Sequence, residues 1–479
     1  MSFGGDGTAG GGDDGDSNGS GTGGGGGGGL RKDVSLLDAV AIEVGLIVGA
    51  GLFSLTGVAA NIAGAALPLS YLVSFSIVAL SIVPTAVLGS AFPTTGGNYR
   101  YPSRLWSPRV AFVAAWGLAI SMFSGGLPLY ALSFGQYVQD LLAVDPVLVG
   151  FAALTFFYVV NLLGIQIAAR VQLLLFLTLV GSLLVFVVFG APAIDAGNFS
   201  PLFPTGVVGF ATGAAILYFV CLGANFIVDI GDEVASAATA IPRSFAVSIP
   251  LVMTLYVLTG LVAIGTIGWE AMAGATLSVP AGGFLSPALE TFFIVGGALF
   301  AIATTINAVY IIAPKYLLVL AEDGLFPDAV ARVNDRFGTP HWGLTVVYAI
   351  SVVALFSPLP LEQLGSLLGF GGILLIIPVM VAAVRFARDR PAEYAAAPFS
   401  IDRRALTVIA ALAVVCNVVL LGLLASQSAS VFGAWAVALV VGDGYYVVRK
   451  RYLAGRGIDL RDRLTDLESE PPHPSETND

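Results

Sequence analysis

Thr304 and Thr305 are adjacent hydroxyls inside a long apolar run, and Ala301 lies one turn earlier on the same face. Hydroxyl and carbonyl oxygens with no nitrogen or sulfur among them suit a hard cation. The competing explanation is that each hydroxyl bonds back to the carbonyl one turn earlier in its own helix. A second chemical feature is made of backbone. Gly45, Gly49 and Gly51 crowd the middle of the apolar run Val34 to Pro68, and each costs about 1 kcal/mol of helix stability relative to Ala. A helix that only had to cross lipid would not use them. Broken backbone at membrane depth is tolerated where it is buried in protein or lines a cavity. Such a break turns half-helix N-termini toward an anion such as a carboxylate, and it frees carbonyls that can hold an ammonium or a metal cation.

The run Phe219-Val220-Cys221-Leu222-Gly223-Ala224-Asn225 carries the same kind of interruption, with Gly223 and a polar Asn following an apolar half-helix. Glycines of one span alone are explained by close helix packing. Two interrupted spans at matched positions of two halves point instead to a site near the middle of the membrane. Four charged residues stand near these breaks. Glu43 is an intramembrane carboxylate just before Gly45, and such residues are functional candidates by default; snorkelling to the helix end is the plain alternative. Asp229 and Glu233 lie one turn apart, and gate pairing with Lys315 or a loop Arg competes with simple solvation at a helix end. The two cysteines, Cys221 and Cys416, sit in apolar runs and exclude a disulfide framework and a Cys-based metal site. Two histidines, His341 and His473, form no cluster.

The elements that must position these residues are set by composition. Of 479 residues 57% are hydrophobic and 11% charged, with mean hydropathy +0.89; soluble domains carry about 25% charged residues. The chain therefore reads as an all-α integral membrane protein embedded in a lipid bilayer. Residues 1–30 are Gly- and Asp-rich, predict a disordered cytoplasmic tail and contain no apolar signal region. Residues 451–479 read as an acidic cytoplasmic tail. Twelve apolar spans are predicted at about 34–62, 66–91, 110–141, 146–164, 171–190, 206–230, 245–268, 284–320, 342–357, 361–385, 405–426 and 429–448, each near the length a bilayer needs. With the N-terminus inside, all 21 basic residues fall in inner segments or, for Lys315, in the inner half of span eight. The positive-inside rule then gives twelve crossings with both ends cytoplasmic. The net charge is −10 and only three basic residues are Lys (Lys32, Lys315, Lys450). Salt adaptation and a GC-rich genome explain that composition equally well. No nucleic-acid partner is expected.

The ordered motifs carry a resemblance. Gly45-x-x-x-Gly49-Ala50-Gly51-Leu52-Phe53-Ser54-Leu55-Thr56-Gly57 resembles the first-helix signature of the amino acid–polyamine–organocation permeases. Phe92-Pro93-Thr94-Thr95-Gly96-Gly97-Asn98-Tyr99-Arg100-Tyr101 is similar to their loop after helix two, with Trp116-Gly117 following. Gly223, Asp232-Glu233, Pro242-Arg243, Asp323-Gly324-Leu325-Phe326-Pro327 and Gly338-Thr339-Pro340 occur in that family's order across residues 34–450. Departures are Val87 and Asn225 where acidic residues are usual, Lys315 for a common Arg, and Ala235-Ser236-Ala237 for a Lys-Asn-Pro run.

The resemblance implies the leucine-transporter-like 5+5 inverted repeat, with helices one and six broken and two extra C-terminal helices. The first repeat covers about 34–190, the second about 206–385, and helices 11–12 about 405–448, within a permease domain of 31–450. It implies that a substrate amino acid rests on Val48, Gly49, Ala50 and Gly51 and on Phe219, Cys221, Leu222, Gly223 and Ala224, with Phe219 as an aromatic lid. It further implies a sodium site of Gly45, Val48, Ala301, Thr304 and Thr305. Proton-driven relatives place a Lys on helix five, which span five here lacks, so sodium is expected over a proton as coupling ion, with no organic cofactor. Glu43, Asp229, Glu233 and Lys315 are gating or coupling candidates. The expected activity is cation-coupled transport of neutral amino acids across the plasma membrane, by symport or antiport. A cationic amino acid or polyamine transporter is the alternative, and a channel, an enzyme or a non-transporting nutrient sensor would be different classes. Pore-lining rings, catalytic constellations and a large soluble domain are not visible in the sequence.

Overall fold

The computed structural model describes residues 34–458, 460 and 464; the expected tail at 1–30 and most of that at 451–479 lie outside the described residues, while the last helix continues to Ala454, past the expected start of the second tail. The first apolar run forms two helices, α1 (Leu36–Ile47) and α2 (Ala50–Ala63), separated at Val48 and Gly49. Ser35 and Asp38 cap α1 reciprocally, which satisfies two of its unpaired first-turn amides. Then come α3 (Leu67–Ala91) and the short amphipathic α4 (Gly97–Leu105). Helix α5 (Pro108–Ser121) runs through a π-turn at Met122–Gly126 into α6 (Leu127–Leu142). Asp145 caps α7 (Pro146–Leu162), and α8 (Ile165–Gly190) follows.

The chain then forms α9 (Gly206–Cys221), a 3-10 stretch over Leu222–Asp229, and α10 (Ala237–Ile267). Three short helices, α11 (Trp269–Met272), α12 (Ser278–Phe284) and α13 (Pro287–Phe292), lead through a second π-turn, Phe293–Leu299, into α14 (Phe300–Glu322). Helices α15 (His341–Leu355), α16 (Leu361–Asp389), α17 (Pro391–Ala396), α18 (Arg403–Gln427) and α19 (Ala429–Ala454) complete the chain.

Among the described residues there is no strand, only two isolated bridges. Nine helical runs among the described residues are long and apolar enough to cross a membrane, and α7 and α15 are shorter apolar helices. Helices α8 and α10 begin earlier than their apolar runs predict, at Ile165 rather than 171 and at Ala237 rather than 245. Their second turns carry Arg170 and Arg243, both exposed, and a solvated Arg ends an apolar run without ending a helix. Every residue of α14 from Ala301 to Ala321 is buried, the mark of a helix packed on all sides. By contrast, α18 and α19 sit at the periphery, with only 17% of each apolar window buried. Two ends of the bundle can be told apart. Val34 pairs with Val234, and Arg449 donates to the Gly324 carbonyl, at what is called here the proximal end. Gly57, the outer part of α9 and the α18–α19 turn lie at the distal end.

Candidate functional site

The break between α1 and α2 is where the backbone opens. Val48 (φ −87°, ψ 69°) leaves the helix and Gly49 (φ −103°, ψ −151°) restarts it. The carbonyls around this break find partners on three neighbouring helices. Thr305 Oγ1 of α14 donates to Gly45 O at 2.6 Å, Tyr256 Oη of α10 to Ile47 O at 3.0 Å, and Gln172 Nε2 of α8 to Ala41 O at 3.1 Å. A Cβ on Gly49 would lie 2.3 Å from Thr305 Oγ1, so only glycine lets α14 come this close.

The second break faces the first. At Leu222 the α9 helix tightens to 3-10 geometry, and a Cβ on Gly223 would lie 2.3 Å from Leu46 O. Backbone therefore touches backbone where the two interrupted segments meet. Cys221 and Ala224 are buried beside this contact. The side chains of Ala50, Phe219 and Leu222 lie outside the described residues.

Above the contact opens a cavity of about 690 Å³. Ile47, Gly49, Gly51, Gly223 and Thr305 border its floor, and Leu118, Met122, Tyr130, Val309 and Ile373 border its walls. Val58, Ile62, Leu361 and Ser428 carry it toward the distal end. No Asp, Glu, Lys, Arg or His is among the described residues that line it. Tyr218, which the sequence reading passed over in favour of its neighbour Phe219, does line it.

Of the residues expected to hold a cation, Gly45, Ala301, Thr304 and Thr305 lie together. Thr304 Oγ1 lies 2.7 Å from Ala301 O, and Thr305 Oγ1 lies 3.1 Å from Ala301 O as well as 2.6 Å from Gly45 O. The donor set is oxygen only, contributed by α1 and α14 and buried, and so fits a hard cation. Thr304 and Thr305 both make the helical back-bond to Ala301 O, and the Thr305 hydroxyl also donates across to α1.

The four charged candidates do not meet the cavity. Glu43 is fully buried and accepts from Ser244 Oγ at 2.7 Å and from Ser248 Oγ, both on α10. Asp229 is fully buried and accepts from Asn98 N and Nδ2, each at 2.9 Å, and from Tyr316 Oη at 2.6 Å. Glu233 pairs with Lys315 at 2.8 Å, with side-chain exposures of 0% and 2%. Of the two acidic residues weighed as partners for Lys315, the nearer is thus Glu233. These contacts belong to a closure of the proximal end. Gly96 N donates to Asp229 O and Gly231 N to Thr94 O, joining the α3–α4 loop to the 3-10 stretch. Arg104 of α4 bonds both oxygens of Asp323 after α14, at 2.6 and 2.7 Å. Arg100 reaches Glu322 at 2.5 Å.

A chain of carboxamides escaped the sequence reading. Asn161 Nδ2 donates to Asn307 Oδ1, and Asn307 Nδ2 to Gln172 Oε1, each at 2.9 Å, before Gln172 reaches Ala41 O. Its signal was legible as single amides in otherwise apolar spans.

The chain matches the model of the amino acid permease family over residues 34–442. It is 28% identical over 387 residues to cationic amino acid transporter 3, mitochondrial, of Arabidopsis thaliana, covering 74% of this chain and 62% of that protein. It is 24% identical over 385 residues to the branched-chain amino acid permease of Bacillus subtilis (strain 168), covering 76% and 82%. A methylthioribose transporter of the same bacterium is similar at 24%. The chain thus spans less than two thirds of the Arabidopsis relative and most of the Bacillus permease. The fold and the match together define an all-helical permease rather than an enzyme. The chain belongs to the amino acid permease family.

Proposed function

We propose that the protein is a secondary active transporter of neutral amino acids that works by alternating access. The cavity carries this reading: it rests on two broken backbones that meet at Gly223, and no charged side chain is among the described residues that line it. The backbone supplies what an amino acid's own charges need, half-helix N-termini for the carboxylate and freed carbonyls for the ammonium. An additional charge on the substrate side chain would find no counter-ion among the described residues of the wall. Glu43 and Asp229, the carboxylates that a cationic substrate would use, are turned into α10 and α4 instead. Val48 to Gly51, together with residues 219–224, would hold the substrate.

A sodium ion would be held by Gly45, Val48, Ala301, Thr304 and Thr305, and when bound it supplies fixed positive charge beside the α1 break. Twelve crossings follow if α1 with α2, α5 with α6, α9 with its 3-10 stretch, and α13 with α14 each cross once; helices one to five and six to ten then form the inverted repeat. Both chain ends are taken as cytoplasmic in the plasma membrane, so the cavity, open distally and closed proximally, faces outward.

Proteoliposome uptake of a panel of labelled amino acids, under imposed sodium or proton gradients, tests the reading. Leucine, isoleucine and phenylalanine are expected to accumulate with inward sodium, and excess lysine is expected not to compete. Competition by lysine would replace the neutral reading with the cationic one. Accumulation that follows only a proton gradient would remove sodium. Changing Thr304 and Thr305 to Ala should abolish sodium dependence.

A further inference from the structure

Helix α18 is the most lipid-like of the peripheral helices, yet it carries one fully buried polar side chain. Asn417 is 0% exposed, between Val415 at 60% and Val418 and Val419 at 54% and 55%. A polar side chain in an apolar span is costly and marks a functional candidate. Its amide is accounted for locally, because Nδ2 donates to Ala413 O at 2.8 Å. Its oxygen is spent elsewhere: Oδ1 accepts the Tyr218 hydroxyl of α9 at 3.2 Å. Tyr218 is also 0% exposed, and it lies against the cavity with Leu420 and Leu424 of the same α18 and with Ser428 just after it.

The bond continues inward. The Tyr218 hydroxyl lies 3.5 Å from Ser81 Oγ, Thr85 Oγ1 donates to Ser81 O, and Thr85 also donates to Asn225 Oδ1 at 3.1 Å. Asn225 follows the Gly223 break by two residues. A buried polar seam thus runs from α18 through Tyr218 and α3 to the broken segment. Asn417 is its outer anchor.

We propose that Tyr218 is a specificity-determining residue of the cavity and that Asn417, through the Tyr218 hydroxyl, is the positioning residue that fixes its ring. Helix α18 is then part of the substrate path, supplying with Leu420 and Leu424 the wall that selects large apolar side chains over small ones. The inference rests on the transport reading and adds to it a helix that lies outside the two repeats.

The test is a double-mutant cycle on uptake by proteoliposomes, using labelled phenylalanine and alanine as probes. Tyr218→Phe keeps the ring and removes the hydroxyl, while Asn417→Leu removes the acceptor and keeps the bulk. Each is expected to lower the preference for phenylalanine over alanine, read as the ratio of their half-saturation constants, about two- to tenfold, the range one net hydrogen bond supports. The double variant is expected to fall no further than either single one. Effects that multiply, or that move both probes equally, overturn the positioning role and leave Asn417 a structural residue. If Asn417→Leu fails to fold, Tyr218→Phe alone decides, since an unchanged ratio there overturns the proposal. Uptake of neither probe by the unaltered protein would overturn the transport reading and this inference with it. Uptake with an additive cycle overturns only the inference.

Discussion

Gly223 sits against Leu46 with its Cα close enough that a methyl group would lie 2.3 Å from a carbonyl oxygen, and the partner atom is backbone, which cannot step aside. Overpacking of this kind costs about 1–3 kcal/mol. Here the strain falls on a backbone contact between the two broken segments. Gly223→Ala is therefore expected to abolish uptake, whereas Gly422→Ala on α18, where a Cβ meets nothing within 4 Å, should transport normally; comparable uptake by the two variants would refute the contact. Lys315 and Glu233 make the complementary case. Breaking a buried ion pair by removing one member costs about 3–5 kcal/mol, while replacing both with neutral groups of like size is far cheaper. Lys315→Met should lower the thermal midpoint in detergent, and adding Glu233→Gln should restore much of it. A double variant less stable than Lys315→Met would mean that the pair is not what holds these side chains.

Helix α4 matters out of proportion to its length. Its first turn supplies Asn98 to Asp229 on the 3-10 stretch and Tyr99 to Asp323 beyond α14, and its last turn supplies Arg104 to the same Asp323. One short element thereby ties a broken helix to the most buried helix of the protein. Closing the proximal end needs such a tie, because interrupted backbone there must find partners outside its own helix. Arg104→Ala leaves Asp323 4% exposed with only the Tyr99 hydroxyl, and is expected to cost about 3–5 kcal/mol. Arg390→Ala, in an ion pair at the surface, should leave the same thermal midpoint unchanged. Equal midpoints would show that α4 is not the tie.

At the scale of the whole molecule the peripheral helices meet lipid and the central one does not. Val440 of α19 is 72% exposed, so a charge there would face hydrocarbon. Val440→Lys is expected to cost about 3 kcal/mol of insertion, measurable as a lower inserted fraction in a translocation assay; full insertion would place that face of α19 against protein or water. Apolar run length and the distribution of arginines were enough, from sequence, to indicate a membrane-embedded helical bundle, because burial in lipid imposes a composition that no soluble fold needs. The glycines at 45, 49 and 223 marked the breaks, since their cost had to be offset by a close approach. The partners in those approaches were not legible. Thr305 against Gly45 lies 260 positions away in sequence, and Tyr218 borders the cavity because of the face on which the turn of α9 places it. Glu43 and Asp229 looked like site carboxylates from their depth alone; only packing sent one to Ser244 and Ser248 and the other to Asn98 and Tyr316. Sequence determined which residues are costly where they stand, and tertiary structure decided what each of them faces, because side-chain direction and long-range contact are set by helix packing and not by local order.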